Sequence, residues 1–232
     1  MGKVKAVTFD IEDTLYDASL QMRMARLNAI RAMNEAGLPI DLEAGYKALE
    51  EIIRDYGPHY TKHFDRLLER LGLRWNPRVI AAGVVAYRET SKAYLKPYAD
   101  TIPTLIKLRD SGFKIGVIAE GRSVKEWQKL IQLGVDHIFH LVIISEDMGS
   151  EEFIIEEFIE AARRLNVKPD EAVYVSSKPN RGIFYANRAG YITVRIRRGD
   201  SFAERPREVE SVADYVIDSL TEIFDILKSL DE

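Results

Sequence analysis

The chain has 232 residues, 46% hydrophobic and 30% charged, with a formal net charge of -4 and no cysteine. This suits one large domain, or a domain with a sizeable insertion, around a real core. It excludes disulfides, thiolate metal sites and a cysteine nucleophile, and gives no reason to expect nucleic acid or an anionic membrane as partner.

The opening stretch, MGKVKAVTFD, holds no apolar run of signal-peptide length. No segment approaches the ~18 apolar residues of a membrane helix. A cytoplasmic protein without a membrane partner is the expectation. Residues 4–9, VKAVTF, predict a buried strand that ends at Asp10. Helical stripes follow. Leu20, Met24, Leu27 and Ile30 mark the first, stopped near Gly37. Leu42, Tyr46, Leu49 and Ile53 mark the second, stopped by Gly57-Pro58. Phe64, Leu67, Leu68 and Leu71 mark the third, stopped by Gly72. Pro77, a favoured first helical position, opens a fourth that runs to about Leu95.

From Pro97 the pattern alternates. It predicts a helix over 100–111, a strand over 113–120, a helix from Ser123 to about Leu133 and a strand over 141–145. A helix over 151–165, a strand over 171–176, a helix over 180–189 and strands over 191–196 and 214–217 follow. Ser219 and Glu222 form a capping box for the last helix. Trp127 and its apolar stripe read as core. Strands alternating with helices imply a parallel sheet. The fold class is therefore α/β: a Rossmann-like core from residues 1–16 and 96–232, with a four-helix cap domain inserted as residues 17–95. Ligands in such sheets bind beyond the carboxyl ends of the strands. This singles out Asp10 to Thr14, Ala119 to Ser123, Ser145 to Glu152 and Ser176 to Gly182.

Four stretches at those ends, FDIEDTLYD, GVIAEGRSVKEWQKLIQLG, VIISEDMGSEEFIIEEF and AVYVSSKPNRGIFYANRAGY, resemble the four motifs of the haloacid dehalogenase superfamily, phosphatase-like branch with a helical cap. The likeness covers nearly the whole chain. It implies an aspartate nucleophile at Asp10 and an acid/base residue at Glu12. It places a phosphate-holding hydroxyl at Ala119, a lysine at Glu152 and Mg²⁺-supporting acids at Ser177 and Gly182. Only Asp10 carries the residue type the family uses. Glu12 is one methylene longer than the family's aspartate, and an ångström of misplacement can cost on the order of a hundredfold. Glutamate for lysine inverts a charge that is worth ~4 kcal/mol at ~4 Å and an effective dielectric near 20. The cofactor Mg²⁺ would keep only Asp10 as a side-chain ligand.

The substrate-site positions are then Ala119, Glu120, Gly121, Arg122, Glu152, Lys178 and Arg181. Arg122, Lys178 and Arg181 either form solvated surface or bind an anion with the helix N-termini. Glu151, Glu152, Glu156 and Glu157 read as dipole-favoured acids of a first helical turn. Alternatively, this acidic stretch could form a repurposed cation site with Asp10 and Glu120. Asp13 reads as a cap residue, and Ser176 and Ser177 as turn formers. His59 and His63 have metal-ligand spacing, with helix packing as the plainer reading. Arg195 and Arg197 share a strand face, and a homodimer is compatible with the tyrosine-rich cap. The replacements favour a hydrolase-like pseudo-phosphatase, weakly active or non-catalytic, that binds a small ligand or partner. The alternative is a Mg-dependent phosphatase acting on a small phosphorylated metabolite through an aspartyl-phosphate.

Overall fold

A computed structural model describes residues 4–58 and 60–231. The chain forms two compact units, Met1–Ser19 with Leu95–Glu232, and Leu20–Tyr94. Strand β1 (Ala6–Phe9) comes first, followed by helices α1 (Ala18–Glu35), α2 (Leu42–Tyr56), α3 (His63–Arg70) and α4 (Pro77–Tyr94). Then come α5 (Thr101–Asp110), β2 (Lys114–Ala119), α6 (Ser123–Leu133), β3 (Leu141–Ile144), α7 (Ile155–Arg164) and β4 (Ala172–Ser176). A single π turn, Pro179–Ile183, leads into α8 (Phe184–Ala189), and β5 (Ile192–Ile196), β6 (Tyr215–Ile217) and α9 (Ile223–Asp231) complete the chain. Among the described residues no helix is long and apolar enough to cross a membrane.

The six strands form one parallel sheet in the order β3-β2-β1-β4-β5-β6. Strands buried on both faces carry apolar runs without alternation. β1 accordingly buries all four of its residues, and β4 all five. Thr8 is the polar exception in β1, and its hydroxyl donates to the Val173 carbonyl at 3.0 Å. The chain winds outward from β1 to β3, then returns to the other side of β1 and continues through β4 to β6. The ends of β1 and β4 flank the point where the winding reverses, the usual ligand crevice of such sheets.

Three expectations are corrected. The acidic helix starts at Ile155, so Glu151 and Glu152 lie exposed before it. Phe153, 2% exposed, is drawn into the core, and Glu157 accepts from the Ile154 N–H at 3.2 Å to close the helix start. Trp127 is 39% exposed, because α6 buries Glu126, Leu130 and Leu133 instead. The helix expected over 180–189 opens as the π turn and is α-helical only from Phe184. Arg195 and Arg197 are consumed locally. One donates to the Ser201 and Glu204 carbonyls at 2.8 Å each, and the other pairs with Asp218.

Glu157 has a consequence for stability. It is fully buried, and burial pushes its carboxyl up to about 8, with Glu120 and Glu156 adding to the rise against the Ile154 N–H. The folded carboxyl therefore holds a proton that the unfolded one, at 4.5, has released. Stability falls as pH rises across that window. Glu157→Gln mimics the protonated acid. It should match the wild type near pH 5 and exceed it by on the order of 3 kcal/mol near pH 9. Thermal unfolding of both proteins across that range reads the difference directly.

The unit Leu20–Tyr94 has its own core, centred on Ile30, Met33, Leu49, Ile52, Leu67 and Val79. Asp41 caps α2 by accepting from the Glu43 and Ala44 N–H groups at 2.9 and 3.2 Å. Arg66 lies 5.3 and 5.9 Å from the stacked rings of Tyr56 and Tyr60. The His63 Nε2 is 2.9 Å from the Gly57 carbonyl oxygen, a packing role. His59 lies outside the described residues.

Candidate active site

Asp10 follows β1 and is 2% exposed. Its backbone N–H continues the ladder to the Val175 carbonyl at 3.0 Å, which fixes the side chain beside the end of β4. One carboxylate oxygen accepts from the Ile11 N–H at 2.8 Å, and the other accepts from the Ser176 hydroxyl at 3.3 Å. Ser176 Oγ also accepts from the Lys178 N–H at 3.1 Å, and Thr14 Oγ1 accepts from the Ser177 N–H at 3.3 Å. The Lys178 carbonyl accepts from the Ile183 N–H at 3.2 Å, the five-residue step that makes the π turn. These bonds tie the loop after β4 to the loop after β1.

That loop delivers a cation. The Lys178 ammonium lies 3.4 Å from Asp10 Oδ2, 3.5 Å from Glu12 Oε2 and 3.4 Å from Glu120 Oε1. Its side chain is only 11% exposed. Lys129 of α6 adds a second cation, 2.7 Å from Glu12 and 2.6 Å from Glu126. Arg181 stands 2.7 Å from Glu120. Burial alone would raise the Glu12 carboxyl, but Lys129 and Lys178 outweigh it and hold it at about 2. Burial raises Glu120 and Glu126, with their lysine partners opposing. The charges around Lys178 raise its proton affinity despite its burial, so it stays an ammonium.

The expectation that the site lacks a lysine is therefore corrected. Position 152 is an exposed glutamate in the turn before α7, but Lys178 reaches the nucleophile from the loop after β4. All three residues of the basic trio are paired with acids in this structure. Lys178 and Arg181 engage acids beside Asp10, and Arg122 pairs at 3.2 Å with Glu151 near the surface. The start of α6 is likewise occupied: Ser123 donates through its N–H to Glu146 and through its hydroxyl to Asp147, at 2.9 and 2.5 Å. Ala119 ends β2 without a hydroxyl, while the Gly121 N–H donates to Ser145 Oγ at 2.8 Å. Asp13 serves the start of α1, as a cap residue would, but from five residues before the helix. It accepts from the Ser19 N–H and hydroxyl at 2.9 and 2.7 Å. Lys129 was not legible as a site residue, since a lysine on an amphipathic helix reads as solvated. Its three-residue step from Glu126 was the available signal.

The residues where the resemblance implies Mg²⁺ do not fit it. Beside Asp10 stands an ammonium. Ser177 offers a buried hydroxyl that has no hydrogen-bond partner among the described residues. At Gly182, a Cβ would lie 2.6 Å from the Tyr174 hydroxyl and 3.0 Å from Ser176 Oγ, so an acid has no room there. Among the described residues, no three His, Asp or Glu side chains are grouped to hold a metal ion.

Comparison with known proteins places this geometry. The haloacid dehalogenase-like hydrolase family model matches residues 4–190. A glyceraldehyde 3-phosphate phosphatase of Methanopyrus kandleri is 52% identical over 229 residues, 98% of each chain. The protein of the same description from Methanocaldococcus jannaschii is 39% identical over 98% of each. The HAD-hydrolase YfnB of Bacillus subtilis, solved bound to magnesium, superposes with a TM-score of 0.68 at 18% identity, over 97% of this chain and 98% of that one. The pseudo-phosphatase expectation is overturned by the two relatives at 52% and 39% identity, each described as a glyceraldehyde 3-phosphate phosphatase. It was argued from residue types at five positions, and it weighed Lys178 as a solvated or anion-binding residue rather than as a substitute for the lysine that position 152 lacks. With its parallel sheet, its helical insertion after β1 and its buried aspartate at the strand-order reversal, this chain belongs to the haloacid dehalogenase-like hydrolases.

Proposed function

We propose that this chain is a phosphatase that hydrolyses small phosphorylated metabolites, glyceraldehyde 3-phosphate first among them. The observation that carries the reading is the Lys178 ammonium 3.4 Å from the buried Asp10 carboxylate. A carboxylate attacking a phosphate dianion needs a cation to offset the repulsion, and this one is built in. The substrate class follows the relatives described as glyceraldehyde 3-phosphate phosphatases, at 52% and 39% identity over 98% of the chain.

Asp10 attacks phosphorus, the bond from phosphorus to the ester oxygen breaks, and that oxygen leaves with a proton. Glu12 is the donor within the cluster. In the resting site two lysines hold it ionised. An arriving dianion competes for Lys178, which weakens that hold and raises the proton affinity of Glu12, so that Glu12 takes up a proton from solvent before transfer and returns it to solvent when phosphate has left and Lys178 closes on it again. Water then attacks the aspartyl-phosphate, Glu12 takes its proton, and phosphate departs with Asp10 restored. Lys178 stays against the phosphoryl oxygens throughout, and Lys129 holds Glu12 in register.

Phosphate release from glyceraldehyde 3-phosphate and p-nitrophenyl phosphate tests the reading. Acid-quenched enzyme should carry an alkali-labile phosphate on Asp10, visible by mass spectrometry. Asp10→Asn should lose the label and cut turnover on the order of ten-thousandfold. Undiminished turnover by that variant would sink the covalent route.

A further inference from the structure

Lys178 occupies the place between carboxylates where a divalent cation would draw its ligands. Asp10 and Glu12 reach it from the loop after β1, and Glu120 reaches it from the end of β2, all within 3.5 Å. The side chain does not wander there from solvent. Its N–H is bonded to Ser176 Oγ at 3.1 Å, its carbonyl anchors the π turn at 3.2 Å, and Pro179 follows directly. The two positions where the family places further metal acids hold Ser177 and Gly182, and Tyr174 fills the space an acid at 182 would need. A divalent ion on Asp10 at its short bonding distance would sit against the ammonium with like charge.

We propose that the Lys178 ammonium replaces the divalent cation in this site, so that phosphoryl transfer runs without a bound metal ion. The inference rests on the phosphatase reading. An ammonium is a point charge with three rotating donors. It can hold Asp10 and a phosphoryl oxygen together while the oxygen–phosphorus bond to Asp10 forms and the ester bond breaks. Lys129 and Arg181 then keep Glu12 and Glu120 from capturing it. The chemistry needs no co-reactant beyond water.

Two measurements on the full chain, freed of metal by a chelator, decide the matter. The first is Mn²⁺ titration followed by electron paramagnetic resonance. Wild type should bind Mn²⁺ no tighter than about millimolar, and Ser177→Asp/Lys178→Ala should bind it at least about tenfold tighter. Tight wild-type binding that disappears in Asp10→Asn overturns the inference, as does a folded double variant that gains nothing. The wild-type titration decides even if that variant fails to fold. The second is turnover of p-nitrophenyl phosphate. The metal-free enzyme should keep its rate, with less than about a twofold change on adding Mg²⁺. Loss on chelation with recovery in Mg²⁺ overturns the inference and leaves the phosphatase reading standing. No phosphate release under any condition removes the phosphatase reading, while the Mn²⁺ titration still reports which cation the site accepts.

Discussion

Lys178→Met should lower turnover on the order of a thousandfold and cost about 3 kcal/mol of stability at neutral pH. Methionine nearly matches the stem of lysine, so the change is one of charge. The catalytic loss is that of a preorganised cation beside the transferring phosphoryl group, and it should appear in kcat more than in KM. The stability loss arises because removing one partner from a buried ion cluster leaves uncompensated charge. Asp10 would retain only the Ile11 N–H and the Ser176 hydroxyl. Lys129 still serves Glu12 and Arg181 still serves Glu120, which keeps the cost at the low end of the range.

The pH dependence has a definite sign. Glu12 is held at about 2 in the folded protein against 4.5 unfolded, so its stabilising contribution is present above pH 4.5 and is lost as pH falls toward 2. Without Lys178 the carboxyl is held down less. The gap between variant and wild type should therefore shrink below pH 4.5. Urea unfolding at neutral and acid pH measures it. Equal stability of the two proteins at neutral pH would mean that the acids do not depend on Lys178.

The second large effect lies away from the charges. Gly199 adopts φ 61° and ψ -164°, a region in which side chains are strained. A Cβ there would stand 2.1 Å from Asp13 Cγ. Asp13 cannot retreat: Ser19 binds both its carboxylate oxygens, and Ser19 Oγ in turn accepts from the Asp200 N–H at 2.9 Å. Gly199→Ala should cost about 4 kcal/mol, a fall of roughly 10 °C in Tm for a chain of this size. Adding Asp13→Ala removes the obstacle, so the double variant should recover part of the loss in the same melting experiment. Simple additivity of the two losses would mean that the contact is not the cause.

The fold was legible because its signals are local. The apolar runs of β1 and β4 could only be strands buried on both faces, and α6 runs from Ser123 to Leu133, the bounds its periodicity implied. Asp10 was legible for the same reason: a carboxylate directly after a buried strand has few structural uses. The start of α7 was missed because Glu151 and Glu152 favour a helix while Phe153 is pulled into the core, and packing overrode propensity. Lys178 and Arg181 were legible as site positions, but the contact of Lys178 with Asp10 and the whole role of Lys129 were missed on physical grounds. A motif assigns a residue type to a position, but a lysine carries its charge about six ångströms from its Cα. Lys178 can thus supply from one loop what position 152 lacks on another. Lys129 depends on which face of α6 meets Glu12, and no one-dimensional pattern gives that.

Tyr174 bears on whether the site could ever be returned to a metal-binding form. Its hydroxyl donates to the Ile118 carbonyl at 3.3 Å, and its ring stands edge-on to Phe158 with centroids 5.0 Å apart. It therefore cannot yield to an acid at Gly182. An acid there needs a smaller residue at 174, which opens a cavity in the core, and a lysine left at 178 would still repel the incoming ion. A metal acid at 177 can therefore be gained without touching the core, whereas one at 182 comes only with a cavity at 174, so the packing of one buried tyrosine sets how many metal ligands this sheet end can hold.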